Sequence, residues 1–298
     1  MRERVPANRA GARQAPWLLR KSVQERLWRG FALVLILVGG AACLLPFLWM
    51  VSTSFKSQVE VYQFPPRWIP RHFLWRNYTA AFTILPFGRF FLNSAIIAIS
   101  SMIGTVLSCS VVAYAFARLR APGRDALFLV LLATMMLPGQ VTIIPVYITF
   151  RYLGWINTFK PLIVPSFFAG AFSVFLLRQF FMSIPAEMDD AAKIDGAGVL
   201  GTFFRILVPM SKPALATVAI FSFMGDWSSF FGPLLYLNSK DKMTVPVALS
   251  FFRNTQSGSG NMAYMMAVSV IALLPPVLIF FFAQRYFIQG IVVTGLKG

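Results

Sequence analysis

The sequence predicts an all-α polytopic membrane protein with six transmembrane helices, on the strength of three observations. Only 12% of the 298 residues are charged and the mean hydropathy is +0.69, whereas soluble domains carry about a quarter charged residues. Five long runs contain no charged residue, and the longest of them separates Arg253 from Arg285. Each run approaches or exceeds the roughly 20 apolar residues that cross the hydrocarbon core as a helix.

The apolar runs define a transmembrane domain over residues 31–287, preceded by a basic segment, 1–30, and followed by a tail, 288–298. The predicted spans are residues 31–51, 91–117, 126–150, 160–181, 213–237 and 264–287. The first run continues well past Cys43, so it is interpreted as an uncleaved span and not as a lipoprotein signal. The fifth span is the least regular, since it contains glycines, a proline and an acidic residue.

The distribution of lysine and arginine predicts the orientation, because cytoplasmic segments keep the positive excess. The side that holds both termini, the 118–125 turn and the fourth-to-fifth connection carries 17 basic residues, and the other side carries 10. Both termini are therefore expected in the cytoplasm of a bacterial-type cell membrane. The net charge of +17 flanks hydrophobic spans, so topology explains it and no nucleic-acid partner is expected.

Two of the spans contain proline pairs, Pro138 and Pro145 in the third and Pro275 and Pro276 in the sixth. A proline in a spanning helix frees backbone groups that neighbouring helices or a polar cavity must satisfy. Two interpretations stay open: kinks that only shape packing, and kinks that line a transport path.

The connection between the fourth and fifth spans, residues 183–210, reverses the local sign of charge. Nine residues from Glu187 onward hold four of the ten acidic residues and one lysine. Ser183 as the cap, Pro185 in the first turn and Gly196 as the stop predict a helix of about eleven residues, roughly 16 Å long. Such a short helix is marginal alone in water, so it packs either on its own bundle or on a partner protein.

This connection also contains a known pattern. Asp190-Ala191-Ala192, three residues, Gly196, nine residues and then Ile206-Leu207-Val208-Pro209 resembles the EAA loop of ABC importer permease subunits. Asp190 stands where that pattern has glutamate, and Val208 stands where it has leucine. Residues 45–56, Trp68-Ile69-Pro70, Asn77-Tyr78, Asn93-Ser94 and the end of the chain from Gln284 are similar to MalG-like carbohydrate permeases. Only the first 30 residues lie outside the likeness.

The resemblance implies the type I (MetI-like) permease fold and the function of a permease subunit in an ATP-driven importer. Together with a MalF-like companion permease, the chain is expected to form the pathway for a sugar delivered by an extracytoplasmic binding protein. Two ATP-binding cassette subunits are expected to bind ATP and Mg²⁺, so this chain itself needs no cofactor or metal and is not an enzyme. The residues implied in coupling to those subunits are Glu187, Asp190, Ala191, Ala192, Gly196, Ile206 and Pro209. The tail with Lys297 is expected to extend towards the ATPase, and the outer loop 238–263 to meet the binding protein.

The predicted spans contain one acidic residue, Asp226, which is followed by Trp227. A carboxylate at this depth is costly and usually faces a bundle interior or a wet cavity. Two roles stay open: the pair offers a hydrogen-bonding group and an aromatic face to a sugar, or Asp226 only bonds to the companion permease.

The sequence fits two other classes of function less well. An ATP-independent secondary transporter or channel usually needs several intramembrane ionisable residues or inverted halves with broken helices, and neither pattern is present. An integral membrane enzyme is not indicated, because the sequence shows no metal cluster and no nucleophile with a base.

Overall fold

The computed structural model describes residues 16–254 and 262–295, and the regular structure in these ranges is helical. Four helical segments are long and apolar enough to cross a membrane: Gln24–Ser54, Phe87–Arg118, Lys160–Ser183 and Met262–Gln284. Two further segments are pairs of helices bent at a break, which brings the total to six if each pair crosses once. This architecture confirms the predicted all-α polytopic class.

The first two predicted spans lie within long unbroken helices. The elements are α1 (Pro16–Ser54), the short helices α2 (Gln58–Val61) and α3 (Arg76–Ile84), and α4 (Phe87–Arg118). α4 is the central helix and packs against the helices of the fourth and fifth spans. We call the end of the bundle where α4 begins, beside the end of α1, the Phe87 end, and the end where α4 finishes the Arg118 end.

The third predicted span, residues 126–150, is not one continuous helix. It consists of α5 (Arg124–Ala133), a 3-10 turn (Thr134–Met136) and α6 (Gly139–Tyr152). The two halves meet at 98°. Pro138 causes the break, because proline disfavours the helical conformation of the residue before it, and Leu137 is extended. Pro145 by contrast lies inside α6.

The fourth span is interrupted, and serines of α4 satisfy the interruption. Its elements are α7 (Lys160–Ile163), a 3-10 turn (Val164–Phe167) and α8 (Ala171–Ser183). Ser108 Oγ donates to the Ser166 carbonyl at 3.0 Å and accepts the Ala169 N–H at 3.2 Å. Gly104 permits this close approach, since a Cβ there would lie 2.5 Å from Ser166 Oγ. Backbone groups freed within a membrane require such partners.

The fourth-to-fifth connection forms a helical elbow. It contains α9 (Glu187–Ile194), α10 (Val199–Thr202), a π-helical turn (Phe203–Leu207) and α11 (Val208–Met210). α12 (Lys212–Trp227) follows, and the segment Val199–Met210 meets it at 79°. The fifth predicted span, 213–237, is therefore not one continuous helix, because α12 ends at Trp227 and α13 (Phe231–Tyr236) is separate.

The last two helices are α14 (Val245–Asn254) and α15 (Met262–Gly295). α15 contains the sixth predicted span, and Pro275 and Pro276 lie within it without ending the helix. The basic segment 1–30 is described only from Pro16, and Lys297 lies outside the described residues.

Among the described residues the core has an apolar cluster near each end of the bundle and a third, smaller one formed by Ala98, Phe223 and Trp227. At the Arg118 end, side chains of α4, α8, the π-helical turn and α12 pack together, among them Cys109, Leu177, Phe181, Leu207 and Val218. At the Phe87 end, α3, α4, α14 and α15 contribute a second cluster. The elbow is therefore attached to the bundle by a packed core.

Candidate functional site

α9 is a short helix with a well-defined end and no side-chain cap at its start. Its eight residues give a length of about 12 Å, shorter than the eleven residues predicted. The predicted cap is wrong: Ser183 belongs to α8, where its hydroxyl donates to the Phe180 carbonyl at 2.7 Å. Gly196 has the predicted left-handed conformation, φ 79°. The Gly196 and Ala197 N–H groups donate to the Lys193 and Ala192 carbonyls, which completes a Schellman motif.

An ion pair that is largely buried fastens α9 to the end of α4. Arg118 Nε lies 3.2 Å from a carboxylate oxygen of Asp189, and the two side chains are 11% and 14% exposed. Arg118 Nη2 also donates to the Ile184 carbonyl at 2.6 Å, in the short connection before α9. One guanidinium therefore fixes both α9 and its entry point.

The other face of α9 is exposed. Glu187, Asp190 and Ala191 are exposed, and the side chain of Ile194 is 87% exposed. Lys193 Nζ lies 2.9 Å from Asp190, and this hydrogen bond lowers the pKa of the Asp190 carboxyl below its usual value. Because Asp190 is exposed, this pair contributes little to stability.

Only one of the two alanines in the EAA pattern faces outward. Ala192 is buried and Ala191 is exposed. Ala192, which the resemblance groups with the coupling residues, therefore packs on its own chain in this structure.

The elbow continues the exposed surface with apolar side chains. Tyr114 Oη donates to the Val199 carbonyl at 3.2 Å, which attaches α10 to α4. Of the remaining pattern residues, Ile206 is half-buried and Pro209 is exposed. The exposed large apolar side chains here are Met188, Ile194, Val199, Leu200, Phe204 and Met210. We call these residues, together with Glu187, Asp190 and Ala191, the α9 surface.

The structure separates the roles of Asp226 and Trp227. The Trp227 ring is buried, stacks on Phe223, and donates from its ring nitrogen to the Ala272 carbonyl at 3.0 Å. It therefore joins α12 to α15 and presents no free face to a solute. Asp226 is half-buried and lies one helical turn after Ser222, whose hydroxyl donates to Thr105 Oγ1 at 3.2 Å.

The asparagines within the recognised sequence pattern act as backbone anchors. Asn77 Nδ2 donates to the Ser54 and Lys56 carbonyls at 2.8 and 2.9 Å. Asn93 Nδ2 donates to the Asp241 and Met243 carbonyls at 2.8 and 2.9 Å. They hold the connection after α1 and the loop before α14, so the Phe87 end has fixed loops.

Asn157 was not singled out from the sequence, yet it organises the same end. It has a positive φ of 60°, and its side-chain oxygen accepts the N–H groups of Asn238 and Ser239. Its carbonyl accepts Lys242 Nζ at 2.5 Å. The first part of the predicted outer loop 238–263 is therefore fixed to the α6–α7 connection, and residues 255–261 lie outside the described ranges.

Arg118 and Asp189 are the residues of this candidate site that the sequence did not identify. In the sequence, Arg118 contributes only to the predicted orientation, and Asp189 contributes only to the local excess of negative charge. A signal was available, because Arg118 ends a long uncharged run and Asp189 lies on a helix that needs a partner. Nothing in the spacing of the two residues, however, pairs them.

The chain matches a known protein family and is similar to several transport proteins. Residues 109–293 match the family described as "Binding-protein-dependent transport system inner membrane component". The diacetylchitobiose uptake system permease protein NgcG of Streptomyces coelicolor is 32% identical, with 88% of this chain and 86% of that protein covered. The sn-glycerol-3-phosphate transport system permease protein UgpE of Pectobacterium atrosepticum is also 32% identical, with 88% and 95% covered.

A third relative and a solved structure agree with these matches. The arabinooligosaccharides transport system permease protein AraQ of Halalkalibacterium halodurans is 37% identical, with 69% of this chain and 73% of that protein covered. A chain in the crystal structure of a bacterial ABC transporter for import of the acidic polysaccharide alginate superposes with a TM-score of 0.77. It is 23% identical, with 89% of this chain and 98% of that chain covered. At that identity the likeness shows the shared fold.

Proposed function

This chain belongs to the family of inner-membrane components of binding-protein-dependent transport systems, and from that premise we propose that it is a permease subunit of an ATP-driven carbohydrate importer. Its partners in the proposal are a companion permease, two ATP-binding cassette subunits and an extracytoplasmic binding protein. The cassette subunits bind ATP and Mg²⁺, and this chain contributes half of the pathway.

The observation that carries the proposal is the α9 surface. An exposed acidic and apolar face on a short helix suits a groove lined by arginine or lysine and apolar side chains on another protein. Asp189 and Arg118 hold the opposite face against α4. A rigid-body movement of the groove would therefore move α4 and the packed core with it, instead of bending the loop.

The same proposal sets the orientation. The ATPase subunits are cytoplasmic, so the Arg118 end faces the cytoplasm and both termini lie on that side. The distribution of basic residues supports this, since 17 of the 27 belong to segments that the sequence assigns to the cytoplasmic side. The anchored loops of the Phe87 end then face the binding protein.

Carbohydrate as the solute class is supported by the names of the relatives, which include uptake systems for diacetylchitobiose and arabinooligosaccharides. Asp226 is the residue that we assign to the pathway, because it is a half-buried carboxylate on α12 and such groups usually line polar cavities. Trp227 is assigned to the scaffold.

Reconstitution tests the proposed function. The complex that co-purifies with this chain would be placed in vesicles with its binding protein and offered diacetylchitobiose, an arabino-oligosaccharide or sn-glycerol 3-phosphate. We expect uptake of a carbohydrate that requires ATP and stops with a non-hydrolysable ATP analogue. Uptake driven by an ion gradient without ATP would instead establish a secondary transporter.

In the same vesicles, Asp226→Asn is expected to leave the complex assembled and to weaken solute transport. Loss of a charge-assisted hydrogen bond costs about 1.5–3 kcal/mol, which corresponds to a roughly tenfold or larger rise in KM. Asp241→Asn, at an exposed carboxylate of the Phe87 end, is the control and should change KM little. If Asp226→Asn instead releases the companion permease, the carboxylate belongs to that interface and not to the pathway.

A further inference from the structure

The connection after α1 doubles back along the helix it has just left. The Trp68 carbonyl accepts a hydrogen bond from Ser52 Oγ, and the Trp68 ring lies 5.1 Å from the Trp49 ring, edge to face. Trp49 belongs to the uncharged run that begins at Gly30. Trp49 lies five residues before Ser54, the last residue of α1, which is about 7.5 Å along the helix, so the connection returns to the level of the apolar span.

The doubled-back connection is fixed in place. Lys56 is buried, its ammonium lies 3.9 Å from the centre of the Trp49 ring, and its Nζ donates to the Arg67 carbonyl at 2.6 Å. Further along, the Glu60 carboxylate accepts the Arg71 N–H at 2.9 Å. We call residues 64–69 the return segment. These bonds hold its end at Arg67 and the chain just after it at Arg71, so this part cannot move away from the end of α1 without breaking them.

The return segment nevertheless exposes its apolar side chains. Phe64 is 91% exposed, Ile69 is 75% exposed and Trp68 is 55% exposed, and the two prolines between Phe64 and Arg67 are exposed as well. Three large apolar groups in water beside a transmembrane helix would be unfavourable, at about 25 cal/mol per Å² of apolar surface. Their position suggests that they are not in water.

The composition around the return segment identifies what covers it. Arg67, Arg71 and Arg76 lie within or next to it, and arginine pairs with phosphate through planar hydrogen-bonded contacts. Tryptophan together with arginine is typical of the boundary between hydrocarbon and headgroups. Contact with a binding protein would not explain why the return segment lies against Trp49, at the level of the lipid.

We propose that the return segment is an interfacial anchor that inserts Phe64, Trp68 and Ile69 into the phospholipid leaflet at the Phe87 end, with the neighbouring arginines at the phosphates. The anchor holds the end of α1 at a fixed depth. The inference depends on α1 crossing the membrane and is independent of the solute and of ATP coupling.

Nitroxide labels measure the depth of this segment directly. Cysteine would be introduced at Phe64 or at Ile69 in a Cys43→Ser background, since the remaining Cys109 is buried. The labelled chain, in its purified complex, would be placed in vesicles of phosphatidylcholine and phosphatidylglycerol. Collision with oxygen reports lipid exposure, and collision with a water-soluble nickel chelate reports water exposure. Lys240→Cys, exposed at the same end of the bundle, is the matched control.

We expect the oxygen-to-nickel ratio at positions 64 and 69 to be several times that at position 240. A ratio equal to that of the control would overturn the anchor, because the segment would then lie in water. Low collision with both reagents would also overturn it, since the companion permease or the binding protein would then cover the segment. The depth of the labels is measured without transport, so loss of transport activity does not affect the result. Agreement between positions 64 and 69 excludes an effect that comes from misfolding of one variant.

Discussion

Arg118→Ala is expected to abolish ATP-driven uptake while leaving the rest of the helical bundle inserted. The variant leaves the Asp189 carboxylate in a largely buried position without its partner, and breaking such a pair by removing one member costs about 3–5 kcal/mol. It also removes the donor to the Ile184 carbonyl. α9 would then detach from α4, so a movement of the ATPase subunit at the α9 surface would not be transmitted to the helical bundle.

The control for this prediction is Arg124→Ala. Arg124 also forms an ion pair, 3.0 Å from Asp125, but that carboxylate is exposed, so its loss should cost about 0–1 kcal/mol. Uptake and ATPase activity of the purified complex are measured together for both variants. Uptake that survives Arg118→Ala as well as it survives Arg124→Ala would contradict the role of Arg118 in positioning α9.

A double variant distinguishes lost positioning from lost charge. Arg118→Met with Asp189→Leu removes both charges and keeps volume, a change that is often neutral or stabilising for buried pairs. We expect it to unfold thermally close to the unmodified protein and to regain part of the uptake that Arg118→Ala loses. If the double variant stays as inactive as the single one at normal stability, the guanidinium has a role beyond attaching α9.

Asp190→Lys is expected to prevent assembly with the ATPase subunits and so to abolish uptake. Asp190 is exposed beside Glu187 and Ala191 on the α9 surface, so its reversal should not disturb the bundle. Like charges facing each other across an interface cost several kcal/mol, and about 3 kcal/mol corresponds to a roughly hundredfold loss of affinity. Retention of the ATPase on affinity purification, together with thermal unfolding, provides the measurement.

Asp241→Lys, an equivalent reversal at the Phe87 end, serves as the comparison and should leave the ATPase bound. Lys193 lowers the pKa of Asp190, so this carboxylate is still ionised when the pH falls to the ordinary pKa of an aspartate. Its contribution to binding of the ATPase is therefore present at all higher pH values. Normal uptake by Asp190→Lys would remove Asp190 from the interface.

The sequence predicted the features that depend on local chemistry. The approximate bounds of α4 follow from a long uncharged run, and the existence of α9 follows from a local group of acidic residues. The left-handed conformation of Gly196 follows from its position at the end of that helix. Pro138 and Pro145 show the limit: both lie in one apolar run, but only Pro138 breaks the helix. The apolar run itself does not encode which of its prolines breaks the helix.

The remaining misses involve partners that are distant in sequence or on different faces of a helix. Arg118 meets Asp189 only because the ends of α4 and α8 pack together, and no periodicity encodes that contact. Asp226 and Trp227 are adjacent in sequence, but successive residues of a helix point about 100° apart. The Trp227 ring therefore reaches α15 while the Asp226 carboxylate is half-buried on another side of α12, so adjacency in sequence does not bring the two side chains to one place.

Crosslinking from Ile194 tests the central claim most directly, namely that the α9 surface contacts a nucleotide-hydrolysing partner. Ile194→Cys in the Cys43→Ser background would be labelled with a benzophenone maleimide in the assembled complex and photolysed, with Lys240→Cys as the comparison at the opposite end. The account predicts a crosslink from position 194, and not from position 240, to the subunit that hydrolyses ATP. A crosslink from position 194 to the extracytoplasmic binding protein, or from position 240 to the ATPase, would contradict it.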